Sequence, residues 1–174
     1  MGHPIKHFLT ITNHRHKVIA NCARAGILWQ GLRHDLSKYS LTEFIPGAKF
    51  FQGDRSPNEK EREIYGSSRA WMHHKGRNRH HYEYWNDYNP KTKQIENVEM
   101  PTRFLIEMFC DRVAASKIYN GKNYTDAHPY GYFLRVKGKH RMHENTEEML
   151  NKLLEMLRDE GEEKTFAYIR RMKK

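Results

Sequence analysis

The stretch Leu32-Arg33-His34-Asp35-Leu36-Ser37-Lys38 sets a neutral nitrogen ligand beside an anionic oxygen ligand, with an ammonium a few residues on. In a helix, Lys38 falls one turn beyond His34 and on the same face. A His-Asp pair with a nearby cation suits a metal that works on a phosphate. Such a dipeptide occurs by chance in many chains. Here it is accompanied by His14 upstream, by His73, His74, His80 and His81 downstream, and by Asp111 further on.

Outward from this stretch the pattern is helical. Over 4–25, Ile5, Phe8, Leu9, Val18, Ile19, Cys22 and Ala23 recur near helical spacing, and Gly26 is a natural stop. His14, four residues before Val18, faces the core of that helix; His16 points elsewhere, and His3 and His7 fall on the surface. A second helix is expected over 27–37, with Leu28, Trp29, Leu32 and Leu36 as its apolar stripe and Asp35 beside the stripe. A buried carboxylate there needs a partner, which a metal supplies. Ser40 and Glu43 match a capping box opening a third helix, which Pro46 and Gly47 bend or divide. Ser56-Pro57 opens a helix over 57–75 that ends near His73 and His74. Residues 86–100 read as a loop or small hairpin, the most mobile element near the site.

Pro101 opens a helix whose core face carries Phe104, Leu105, Met108, Phe109, Val113 and Ile118, and which contains Asp111 and Arg112. A short helix is expected within 124–136, where Tyr124, Tyr130, Tyr132 and Phe133 read as core rather than as a base-stacking platform. Asn145 caps a final pair, 146–160 and 162–172, divided at Gly161. His128, His140 and His143 read as surface or packing residues. The fold class is therefore all-α, a single-domain helical bundle over 1–174, with its metal-site core at 14–111 and no repeat or linker.

Composition narrows the partners. In 174 residues, hydrophobic content is 37% and charged content 30%, but the 12% of aromatic residues supplies enough buried area for a folded domain. The net charge of +10 favours anionic partners: nucleotides, other phosphorylated molecules or nucleic acid. The excess is scattered, apart from the short end Arg170, Arg171, Lys173 and Lys174. Cys22 and Cys110 lie in no CxxC motif, which argues against a disulfide scaffold or a thiolate zinc site and fits a reducing cytoplasm. The start of the chain lacks the apolar run of a signal peptide, and no stretch approaches transmembrane length, so a cytoplasmic protein without a membrane partner is expected.

The candidate ligands His14, His34, Asp35, His74 (or His73), His80, His81 and Asp111 fall on or beside several helices, and a bundle brings such residues together on a central ion. Imidazole and carboxylate without thiolate suit Mn, Fe, Co, Ni or Zn; accumulating histidines disfavour Mg. The order His … His-Asp … His … His … Asp resembles the HD-domain superfamily of metal-dependent phosphohydrolases. His34-Asp35-Leu36-Ser37-Lys38 is close to the family's HD-x-x-K core, His14 stands where its first histidine does, and Asp111 stands where its last aspartate does. The string from Ala70 to Trp85 looks like the signature of a small single-domain branch whose function is uncharacterised.

The resemblance implies one divalent transition metal on His14, His34, Asp35 and Asp111, with Asp35 bridging to a second held by His74 and one of His80 or His81. His74 and His80/His81 stand closer in sequence than in two-metal relatives, which leaves open one ion or two; the cluster would otherwise hold substrate phosphate or supply an acid. The implied reaction is hydrolysis of a nucleotide or related phosphate ester by an activated water. Asp35 and Lys38 act at the reacting phosphate, and a histidine from 80/81, assigned as His81, protonates the leaving oxygen. Arg33, Arg77, Arg79 and Arg112 are candidate phosphate clamps beside Lys38. Plainer structural roles exist for each: a helix-end pair for His34-Asp35, a core histidine for His14, an ion pair for Asp111, and aromatic packing for His80 and His81. Competing functions are a di-iron oxygenase resembling myo-inositol oxygenase, and a non-catalytic basic binding protein for nucleic acid or nucleotides. A homodimer is a general prior for soluble proteins.

Overall fold

The computed structural model describes residues 2–138 and 142–172, so His140, Lys173 and Lys174 lie outside the described residues. The fold is mostly α: eight α-helices among the described residues, and one two-stranded hairpin. Helix α1 (Pro4–Arg24) packs against α2 (Leu28–Arg33), α3 (Leu41–Lys49) and α6 (Thr102–Asn120). Helices α4 (Pro57–Tyr65) and α5 (Arg69–Lys75) pack on α3, while α7 (His128–Val136) and α8 (Glu144–Met172) pack on each other and on α6.

Helix α6 is the central member. Leu105, Ile106, Met108, Phe109, Cys110, Val113 and Ala114 are all buried, almost all round the helix rather than along one stripe. They meet Val18 and Cys22 of α1 and Leu150, Leu153, Leu154, Leu157, Phe166 and Ile169 of α8 in one core cluster. Phe133 joins this core and Tyr124 and Tyr130 pack against it, as expected of that aromatic group, but Tyr132 is exposed. Cys22 and Cys110 are buried free thiols. The core is lopsided: between residues 49 and 99, Ala70 is the single fully buried hydrophobic residue among the described residues, and Glu61, Ser68, His74, Asn78 and His80 are the buried polar ones.

Several expected boundaries shift, each for a local reason. The helix expected over 27–37 stops at Arg33. Asp35 takes a left-handed conformation (φ 55°, ψ 25°), and the chain re-forms as a 3-10 turn over Leu36–Tyr39. Leu28, Trp29, Leu32 and Leu36 are exposed instead of forming a buried stripe. The helix expected over 57–75 is two, because Gly66 is left-handed (φ 74°) and Ser68 caps a fresh start by accepting from the Trp71 N–H at 2.9 Å. Helix α3 runs through Pro46 and Gly47 undivided. The capping box is absent: Ser40 makes no side-chain cap bond, and Glu43 turns inward to other work.

Helix α8 begins at Glu144 rather than after an Asn145 cap, and it kinks at Gly161 (φ 78°), where the sequence divides two helices. His7, expected on the surface, is buried against Phe44, Phe51 and Gly47; a Cβ on Gly47 would stand 2.3 Å from its ring. The 86–100 segment contains a hairpin, β1 (Asn86–Asn89) antiparallel to β2 (Gln94–Asn97), with Asn86 opposite Asn97. It lines neither of the two cavities described below.

Candidate metal centre

The break in the chain at His34-Asp35 makes the site. On a regular helix, neighbouring side chains diverge by about a hundred degrees. The left-handed turn at Asp35 instead brings its carboxylate Oδ2 within 3.2 Å of His34 Nε2. Such a conformation costs an ordinary L-residue about 1–2 kcal/mol, and Asp is among the few that tolerate it. Arg15 of α1 holds the break in place, donating from Nε to the His34 carbonyl at 3.2 Å and from a second nitrogen to the Leu32 carbonyl.

Two donor sets share Asp35. One comprises His14, His34, Asp35 and Asp111; the other comprises Asp35, His74, His80 and His81; in each, the ligand atoms lie within 4.8 Å of one another. Asp111 Oδ1 is 2.9 Å from His14 Nε2 and 3.7 Å from His34 Nε2. Asp35 Oδ1 is 3.3 Å from His74 Nε2 and 3.5 Å from His80 Nε2, while Oδ2 pairs with the Lys38 ammonium at 2.6 Å. His14 Nε2, His34 Nε2, Asp35 Oδ1, His80 Nε2 and His81 Nε2 are all buried without a hydrogen bond of acceptable geometry. Buried polar atoms are nearly always satisfied, so a cluster of such orphans pointing at one another marks the place of a missing partner. Nitrogen and carboxylate donors without thiolate match a divalent transition metal, so the residues fit the ion their order suggests.

The opposite nitrogens are fixed by two glutamates absent from the sequence-based set. Glu107 Oε1 receives His34 Nδ1 at 2.8 Å and stands 3.2 Å from His80 Nδ1, and Gln30 donates to its other oxygen. Glu43 receives His74 Nδ1 and His73 Nδ1, both at 2.7 Å. A histidine that gives its δ proton to a carboxylate offers its ε lone pair to a metal, with the ring orientation locked. His73 is thereby taken up by Glu43, and His74 is the member of that pair in the donor set.

The charges are mutually sustaining. Burial pushes Glu107 up, but hydrogen bonds from His34 and His80 more than compensate and bring it down to about 2. Burial likewise opposes ionisation of Asp35 and Asp111; His34, Lys38 and His74 hold Asp35, and hydrogen bonds from His14 and His34 hold Asp111, well below the usual carboxylate range. Burial works against the Lys38 ammonium, yet Asp35 and Asp111 raise its pKa above the usual value. Burial, with His80 and His74 beside it, holds His81 well below the usual imidazole value and therefore neutral.

The remaining sequence-based residues separate. Lys38, His14, His74 and Asp111 line a cavity of about 250 Å³ walled by Phe51, Trp71 and Tyr119. Arg33, Arg77 and Arg79 line a different cavity, and Arg112 lines neither. Glu107 carried a signal: it lies four residues before Asp111, on the same face of a helix surrounded by hydrophobic residues.

Neither the curated proteins nor the solved structures return a match to this chain. A family model does match, over residues 3–156, a span that contains every residue of both donor sets and both supporting glutamates. The chain therefore belongs to DUF5662, a family of unknown function.

Proposed function

We propose that this protein is a metal-dependent phosphohydrolase acting on a nucleotide or related phosphate ester, of the kind its resemblance to HD-domain proteins implies. The observation that carries the proposal is the cluster of orphaned buried ligand atoms, which reaches through His14 a cavity also lined by His74, Asp111 and the Lys38 ammonium. His14, His34, Asp35 and Asp111 would hold one ion, and Asp35, His74, His80 and His81 a second. A divalent metal so held supplies an acidified water and a Lewis acid for a phosphoryl oxygen.

The chain's own residues do the rest. Lys38, still partly exposed and kept charged by Asp35, binds a non-bridging phosphoryl oxygen and balances charge that builds there. The cavity accepts a phosphate with a small attached group, and its Trp71 and Tyr119 walls displace water around it. Its neutral state supports His81 as a ligand rather than as the donor of a proton to the leaving oxygen.

The test is elemental analysis of untagged protein beside His34→Ala/Asp35→Ala, followed by a screen of nucleotides and phosphomonoesters under each metal. About one or two ions per chain in the wild type, lost in the double variant, with phosphate release that also requires Lys38, is the expected result. Absence of metal in a folded wild type, with nucleic acid bound in its place, returns the basic binding protein. The two donor sets joined by a carboxylate equally suit a di-iron oxygenase. Iron with oxygen uptake and no phosphate release selects that reading.

A further inference from the structure

The second cavity lies on the other side of the histidines. It has a volume of about 600 Å³, shares no lining residue with the cavity at Lys38, and has Glu107 and His80 in its wall. Glu107 contacts the δ nitrogens of His34 and His80, whereas the ε nitrogens face Asp35, so this space opens behind the metal centre.

Four arginines line it: Arg33, Arg77, Arg79 and Arg103. All four are exposed, and none has an ion-pair partner among the described residues, whereas Arg24, Arg55 and Arg158 are each paired with carboxylates. The single acidic group in the lining, Glu107, is buried and occupied by His34 and Gln30.

Arg103 lies over the Phe104 ring of the lining at 4.7 Å, and Arg79 sits between that ring at 6.0 Å and Tyr84 at 5.6 Å. The Arg79 backbone is held by the Trp85 indole N–H, which donates to its carbonyl at 2.7 Å. Like charges gathered round one space repel unless an anion neutralises them, and guanidinium presents paired donors that match phosphate oxygens. Trp29, 79% exposed, stands in the same lining and offers a flat apolar face.

We propose that this rear cavity is a binding site for a nucleoside polyphosphate, with the phosphates on Arg33, Arg77, Arg79 and Arg103 and the base on Trp29. Several arginines call for more than one phosphate group, and the cavity is within the size range of small-molecule sites. The site is independent of whether the metal centre hydrolyses anything, and it reassigns Arg33, Arg77 and Arg79 from the Lys38 cavity to a ligand of their own.

The test is calorimetric titration of the full chain, as purified, with ATP, tripolyphosphate and inorganic phosphate. The wild type is compared with Arg33→Gln/Arg103→Gln, Arg79→Gln, Trp29→Ala and Lys38→Ala, the fold of each checked by its melting temperature. ATP and tripolyphosphate are expected to bind, with inorganic phosphate weaker. The arginine variants should lose about ten- to hundredfold in affinity, Trp29→Ala should weaken ATP but not tripolyphosphate, and in Lys38→Ala, where any binding at the front cavity is removed, the arginine-dependent binding should persist. Binding lost in Lys38→Ala but kept in the arginine variants overturns the proposal in favour of the front cavity. Failure of all the small anions to bind overturns it too, and a short RNA that then binds through the same arginines assigns the surface to nucleic acid.

Discussion

His34 and His80 present Nδ1 to Glu107, His74 presents Nδ1 to Glu43, and all three turn Nε2 towards Asp35; this division of labour predicts what single changes do. Glu107→Gln keeps the size of the side chain but removes the charge that aligns His34 and His80. Metal affinity should fall about 10–100-fold with the fold intact, as competition with a fluorescent chelator would measure. An unchanged affinity would mean that Glu107 only fills space. His7 supplies a pH test away from the ligands: burial, and then the nearby Lys38 charge, lowers its pKa from 6.5 to about 4. The unfolded chain therefore takes up this proton first. His7 favours the fold fully above pH 6.5, and that contribution drains away as pH falls towards 4. An NMR titration of its ring should show a midpoint near 4, and one near 6.5 would contradict the buried placement. At this scale the residues of the two donor sets were legible because histidine and aspartate are uncommon on core faces. Glu43 was not, since a glutamate three residues after Ser40 also fits a helix cap, and Glu107 showed only in its spacing, four residues before Asp111 among hydrophobic neighbours.

Among the elements, the junction of α1, α2 and the 3-10 turn governs the site. Gly31 lets α2 approach α1: an added Cβ would stand 2.6 Å from the Cβ of buried Cys22. Gly31→Ala must push the two helices apart or distort them, at about 1–3 kcal/mol. Because His34 follows at the end of α2, the same change should weaken metal binding, a coupling that thermal melts with and without metal would reveal. Equal destabilisation of both forms would uncouple the junction from the site. Periodicity and the stop at Gly26 located α1 closely, and Pro101 marked the start of α6, whose burial almost all round leaves little periodic signal. It misplaced the end of α2 because the residues after Arg33 keep a helical spacing of leucines while Asp35 adopts a conformation that spacing does not encode. Similarly, Gly66 divides α4 from α5 through its left-handed backbone, which leaves no trace in the apolar pattern.

On the scale of the molecule, no helix among the described residues is long and apolar enough to cross a membrane. The mostly α class followed from the helical apolar spacing of the long segments, and the small hairpin from the turn-forming residues around Pro90. The uneven core could not be read that way, because it depends on which polar groups are buried together. That unevenness divides the molecule into halves with different reasons to be folded. The α1–α6–α8 side has a continuous hydrophobic interior. The 49–99 side has one buried alanine and a set of imidazoles, carboxylates and amides in its place, so its cohesion depends on whatever neutralises and joins them. Stripping the proposed ion should therefore loosen this side first: a chelator should open 49–99 to limited proteolysis while the α1–α6–α8 side resists, and uniform cleavage of both would show a single cooperative unit. For this half of the chain the ion would serve as a nucleus of solid structure, and cellular metal supply would then set how much of the protein is folded.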